Sequence, residues 1–269
     1  MRRIAALLWV AATLVACDSP PPPPAPVPAE APPAAPAAPV ADVSKVLAPS
    51  PLKLEEEVRA AGVAEALTDL VPTAPAEVAT DDKDRIAVRT GVVLAYSVLG
   101  GKSTPKADFV AQLKSARAGM AALGAGAGLM STIDDSIKHV ENDAASREDF
   151  LRELDQIVGY SVPEQGFGPD DRTGPLLQAG AWLAGTNVVA RAVVRSGKAE
   201  AAEKLLRRKD VADYFLGYMQ KEGQQKAGPV SEQLVKTLSL MSEIAAKPAL
   251  TVEDAQTIAD ATDALLKLL

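Results

Sequence analysis

One cysteine and one histidine stand in a chain of 269 residues, and aromatic side chains make up only 4% of it. A single thiol excludes an intrachain disulfide framework. A single imidazole leaves any zinc site or serine triad to be assembled around unmarked partners, mostly carboxylates. Basic side chains are outnumbered as well, Lys+Arg 28 against Asp+Glu 35, for a net charge of -7. Such a chain is repelled by phosphates, which excludes nucleic acid as a partner, and by anionic lipid headgroups. No segment alternates polar and apolar residues convincingly, so strands are not expected.

What is present begins with a charged and apolar leader. Arg2 and Arg3 precede a run from Ile4 to Ala16 that has the form of a secretory signal. At about 1.5 Å per helical residue this run is about 20 Å long, too short for the roughly 30 Å hydrocarbon core. It targets without spanning, and residues 1–16 are expected to be removed.

The run closes on Leu14-Val15-Ala16-Cys17, with the chain's one thiol directly after a small residue. This resembles the lipobox of bacterial lipoproteins. The resemblance implies that Cys17 carries acyl chains, palmitate among them, and becomes the new N-terminus. Two or more chains anchor a protein stably where one binds reversibly. The implied location is the bacterial cell envelope, with the folded body outside the cytoplasm. Asp18 resembles a residue that retains lipoproteins in the inner membrane of some bacteria; inner and outer membrane both remain open. With the leader gone, 26 basic and 35 acidic side chains leave a balance of −9.

Residues 17–50 form the expected tether. Eleven of the 21 prolines fall between positions 20 and 39, among alanines and the single charge of Glu30. Such a segment favours solvated polyproline II, and the 32 residues from Asp18 to Pro49 would reach about 100 Å at about 3.1 Å per residue.

From residue 51 to 269 every long segment steps by three and four, which predicts one all-α domain of about ten helices. Ser50-Pro51 opens the first, expected to run to about Leu70. The second spans about Asp81 to Gly100-Gly101. A third follows Thr104-Pro105 with Phe109, Leu113, Ala116, Met120 and Leu123 inward. Leu129 to Val140 and Phe150 to Val158 make two more, the latter behind a capping box at Ser146 to Asp149; Val162 to Gly174 reads as a loop. Pro175 to Val194 is the most apolar stretch, closed by Gly197. Arg191 and Asn187 argue against a membrane span, and Gly180, Ala181, Ala184 and Gly185 permit a neighbouring backbone to come close. Helices near Ala199 to Arg208, Asp210 to Lys221, Pro229 to Ala245 and after Thr251 complete the set. The two most apolar helices, Ile86 to Leu99 and Pro175 to Val194, are expected at the centre.

Familiar motifs fail on context. Gly100-Gly101-Lys102-Ser103 imitates the end of a phosphate loop, but it follows a helix and Tyr96 stands where the first glycine belongs. Gly124 to Gly128 lacks the dinucleotide spacing and reads as a helix-to-helix turn. Ser103 and Lys106 lack the partner motifs of penicillin-recognising enzymes. His139 reads as a solvated helix-surface residue. Asp81-Asp82, Asp134-Asp135 and Asp170-Asp171 are adjacent pairs, and neighbours on a helix diverge by about 100°.

One constellation remains for ligand binding. Gln178, Trp182 and Thr186 lie four apart on the hub helix, while Arg89, Val93 and Tyr96 share a stripe on the other central helix. With Asn187, the residues Arg89, Tyr96, Gln178 and Trp182 would line a small pocket between the two. The opposing reading makes Trp182 core and Arg89 a locally paired side chain. The stretch Leu176 to Gly185 also resembles the Ala-Gly-x-Trp helix of all-helical bacterial lipoproteins to which no activity is assigned; that resemblance implies only fold and anchoring. Three functions are thus expected in descending order: a non-catalytic, lipid-anchored protein-binding or structural module with a possible envelope protein partner, a small-molecule or lipid-binding module, and a hydrolase built from distant carboxylates. No cofactor or metal is implied.

Overall fold

A computed structural model describes residues 50–67, 69–74, 77–143, 146–156, 172–220 and 228–269. The leader, Cys17 and the Pro/Ala-rich tether lie outside these residues, as do Val158 and nearly all of the expected loop from Val162. Among the described residues the chain is all-α, with ten α-helices, one 3-10 turn and no strand. The helices are α1 (Pro51–Ala60), α2 (Lys83–Gly100), α3 (Lys106–Leu123), α4 (Ala127–Glu141), α5 (Arg147–Gln156), α6 (Thr173–Ser196), α7 (Ala199–Leu206), α8 (Lys209–Gln220), α9 (Pro229–Ala245) and α10 (Val252–Leu268).

Local chemistry accounts for most boundaries. The Ser50 side chain accepts from the Lys53 N–H at the start of α1. Thr251 and Asp254 form a reciprocal capping box at α10. Ser146 accepts from the Asp149 N–H at 3.1 Å, but its hydroxyl then donates to the Asp149 carboxylate at 2.6 Å. Gly124 and Gly197 adopt left-handed φ of 81° and 67° after α3 and α6.

The first helix is shorter than its apolar pattern suggests. It stops at Ala60, and only a 3-10 turn at Ala64–Ala66 continues it. Gly62, at φ 71°, lets Val63 N–H reach the Val58 carbonyl at 3.2 Å and its own N–H reach Arg59 at 3.0 Å. This pair of bonds is a Schellman cap, and buried Val58 and Val63 supply its apolar contact.

The centre of the domain is the pair α2 and α6, which run parallel. Asp84 pairs with Arg172 at 3.1 Å at the N-terminal ends of both helices. Further along, Gly91 faces the backbone of Leu177 and Ala181, and Gly180 faces the carbonyl of Val88. A Cβ at Gly91 or Gly180 would collide with backbone, so both helices meet at a separation only glycine permits. The small residues noted in the sequence at Gly180 do allow a backbone to approach. Thr90 and Ser97 are fully buried on α2 and return their hydroxyls to Ile86 and Val93 at 2.7 and 2.8 Å. Neither hydroxyl is thereby stranded in the seam.

Two sets of helices flank this pair. On one side α3 runs back along α2, with Gly119 against Thr90, and α4 returns along α3, tied by Arg117–Asp134 and by Lys114–Glu141 at 2.7 Å. On the other side α10 lies antiparallel to α6, α9 folds against α10, and α8 folds against α9 through Ser242 and Asp213 at 2.5 Å. The circuit closes where Trp182 of α6 meets Phe215 of α8, ring centroids 5.8 Å apart. Fully buried leucines such as Leu177, Leu183, Leu234 and Leu238 fill the interior, each contributing about 1.5–3 kcal/mol relative to exposure. Among the described residues no helix is long and apolar enough to cross a membrane.

Gly91→Val and Gly180→Val are expected to lower unfolding free energy by at least about 3 kcal/mol in urea titrations, because the added atoms meet backbone that cannot yield. Gly217, exposed within α8 with open space around it, is the control: Gly217→Ala should stabilise by about 0.5–1 kcal/mol.

Candidate functional site

The five residues singled out on the central helices separate into distinct environments. Arg89 is half-buried on α2 and donates from Nη1 to the Ala79 carbonyl at 3.3 Å. Burial, then the nearby Arg85, lowers its pKa, and Glu77 opposes them. Trp182 is 5% exposed and packs on Phe215, with Tyr214 on the far side of that ring at 5.1 Å. Gln178 is half-buried one turn before it. At Gly91 and Gly180 the seam between α2 and α6 is a direct backbone contact.

Asn187 and Tyr96 converge elsewhere. Asn187 lies five residues beyond Trp182, about 140° further round an α-helix, and so points at α10. There its amide nitrogen donates to Asp263 Oδ1 at 2.7 Å, Thr262 Oγ1 at 3.0 Å and the Ala259 carbonyl at 3.3 Å. Its burial is nearly complete, at 2% exposure. Tyr96 reaches the same region from α2. Burial pushes its phenol up to about 12, the negative charge of Asp263 adds to the shift, and Arg191 opposes it.

Asp263 and Arg191 also line a recess of about 340 Å³ on the α6–α10 face. Its rim is polar, with Arg191, Arg195, Gln256 and Asp263; Leu70 and Val194 supply apolar surface. The sequence marks Arg191 only as an argument against a membrane span and gives Asp263 no role. The spacing of four between Arg191 and Arg195 places both guanidinium groups on one face of α6. Nothing local signals Asp263, which meets them only because α10 packs antiparallel to α6.

The other motifs are structural. Gly100-Gly101 ends α2, Thr104 Oγ1 donates to the Gly100 carbonyl at 2.8 Å, and Lys102 pairs with Glu55 at 2.8 Å. Gly124 to Gly126 forms the turn into α4, and Gly128 already lies within that helix. His139 is exposed beside Lys106, Asp143 and Arg147 at a notch of about 70 Å³. Asp82 caps α2, Asp134 pairs with Arg117, and Asp135 pairs with Lys138 at 3.0 Å; Asp170-Asp171 lies outside the described residues. Among the described residues no three His, Cys, Asp or Glu side chains gather as a metal site. Comparison with protein-family models, with curated proteins and with solved structures finds no match.

Two measurements probe this region. Asn187→Ala removes donors to three α10 acceptors and should cost about 2 kcal/mol in denaturant titrations. Because the folded Tyr96 phenol titrates above the ordinary 10.0, stability linked to it is complete below pH 10.0 and is lost as pH rises through about 12. Absorbance titration should show this late ionisation, and Tyr96→Phe should lack both it and its share of the alkaline loss.

Proposed function

We propose that this chain is a lipid-anchored protein of the bacterial cell envelope whose helical domain is a non-catalytic module for binding another protein or building an assembly. The observation that carries the reading is the placement of Cys17, the one thiol of the chain, directly after Leu14-Val15-Ala16 at the end of a short apolar run. Acylation there supplies the membrane contact that no described helix is long and apolar enough to make. The proline-rich stretch then holds the folded body away from the lipid surface.

The helical domain is well suited to receive such a tether. Its first helix is held at its start by Asp155, whose carboxylate accepts from the Leu52 N–H at 3.0 Å. The non-catalytic part of the proposal draws on the scarcity of histidine and cysteine and on the separate environments of Arg89, Gln178 and Trp182. A net negative charge disfavours adhesion to anionic headgroups by the body itself, which leaves its surface to a protein partner.

Metabolic labelling with palmitate tests the anchor: the full chain should incorporate label and sediment with membranes, and Cys17→Ser should abolish both. Label that persists in Cys17→Ser, or that never enters the unaltered chain, overturns the proposal. Crosslinking in the native envelope should then capture one recurrent neighbour.

A further inference from the structure

The recess between α6 and α10 carries an inference that goes beyond anchoring and does not rest on it. Arg191 is exposed and makes no hydrogen bond or ion pair among the described residues. Its neighbour Arg195, one turn on, is engaged, donating to the Ala66 carbonyl at 3.3 Å and lying 3.8 Å from Asp69. Across the recess stands Asp263, with one carboxylate oxygen held by the Asn187 amide at 2.7 Å. The buried asparagine thus holds one oxygen of the carboxylate, and Arg191, which lines the same recess, is not drawn into an ion pair with it.

The helix register explains why these opposite charges stay apart. In the antiparallel packing Asn187 is level with Asp263, and Arg191 lies one turn further along α6, a displacement of about 5.4 Å. A flexible arginine would close that gap in water for little gain, since exposed pairs contribute about 0–1 kcal/mol. A ligand bearing both charges a short distance apart spans it directly. Its carboxylate meets the planar fork of a guanidinium and its ammonium meets an acceptor already fixed in direction. Leu70 and Val194 offer apolar surface for a side chain, and a volume of about 340 Å³ admits a molecule of a dozen or so heavy atoms at most.

We infer that the α6–α10 recess binds a small zwitterion of the α-amino-acid class, with its carboxylate on Arg191, its ammonium on Asp263 and an apolar side chain against Leu70 and Val194. Asn187 is a positioning residue in this site, acting through the Asp263 carboxylate.

Calorimetric titration of the full chain with three probes tests it: L-leucine, 4-methylpentanoate, which lacks the ammonium, and 3-methylbutylamine, which lacks the carboxylate. Leucine should bind, with each half-charged analogue about ten-fold weaker or worse. Arg191→Gln, an exposed change expected to leave the melting temperature unaltered, should weaken leucine by about ten-fold, and Arg195→Gln, whose guanidinium is already occupied, by less than about three-fold. Asp263→Asn should erase the preference for leucine over 4-methylpentanoate; if that variant does not fold, Arg191→Gln and the analogue series decide alone. Equal affinity for all three probes, no leucine binding up to about 10 mM, or binding indifferent to Arg191→Gln overturns the inference. None of these outcomes depends on whether Cys17 is acylated.

Discussion

The domain depends on two helices touching through their backbones. At Gly91 and Gly180 the main chains of α2 and α6 come closer than any side chain allows. That approach fixes the rotation of both helices about their axes. Once Gly91 faces Leu177, the residues one turn away on either side must face the same seam, and the remaining faces are committed to their own neighbours. Thr90 is thereby turned toward Gly119 of α3, while Asn187 is turned toward α10. A seam built from larger residues would place the axes further apart and loosen every one of these assignments.

Several polar groups inside this frame bond to main-chain carbonyls. Buried hydroxyls on α2 return to their own helix, and Gln112 of α3 donates to the Pro72 and Thr73 carbonyls, holding the chain that enters α2. Among the described residues Arg207 is the most heavily used cation. It pairs with Glu203 and donates to the carbonyls of Ala245 and Lys247 at 2.9 and 2.7 Å, while Glu203 accepts from the Leu250 N–H at 3.0 Å. One side-chain pair at the C-terminal end of α7 therefore closes the open end of α9 and shapes the turn into α10. The position of α10, and with it Asp263, rests on that turn.

Much of the fold was legible because helix signals are local. Ser50-Pro51, Thr104-Pro105, Gly228-Pro229 and Thr251 mark starts, Gly100-Gly101, Gly124 and Gly197 mark stops, and three-four spacing marks inward faces. Among the described residues the end of α1 lies furthest from its expected place, and it is instructive. Apolar spacing continues through Ala61 and Leu67, but Gly62 satisfies the helix end with a left-handed turn that periodicity does not weigh. The site was far less legible. Arg89, Tyr96 and Trp182 looked equivalent as polar or aromatic groups on apolar helices. Their surroundings differ because residues five apart on one helix face different neighbours, and which neighbour occupies each face is not a local property.

By itself the sequence determined the helical class, most of the described helix limits and the identity of the two central helices, since these follow from residue spacing and caps within a few turns. It also carries the short apolar run, Leu14-Val15-Ala16-Cys17 and the proline-rich stretch, which are patterns in composition and need no packing to be read. Only tertiary structure decided that α2 and α6 run parallel in backbone contact, and that Tyr96, Asn187, Arg191 and Asp263 share one region. Those residues are separated by up to 167 positions, and no local rule relates them. They meet because glycine-sized gaps set the rotation of α6 and the α7 clamp sets the path of α10.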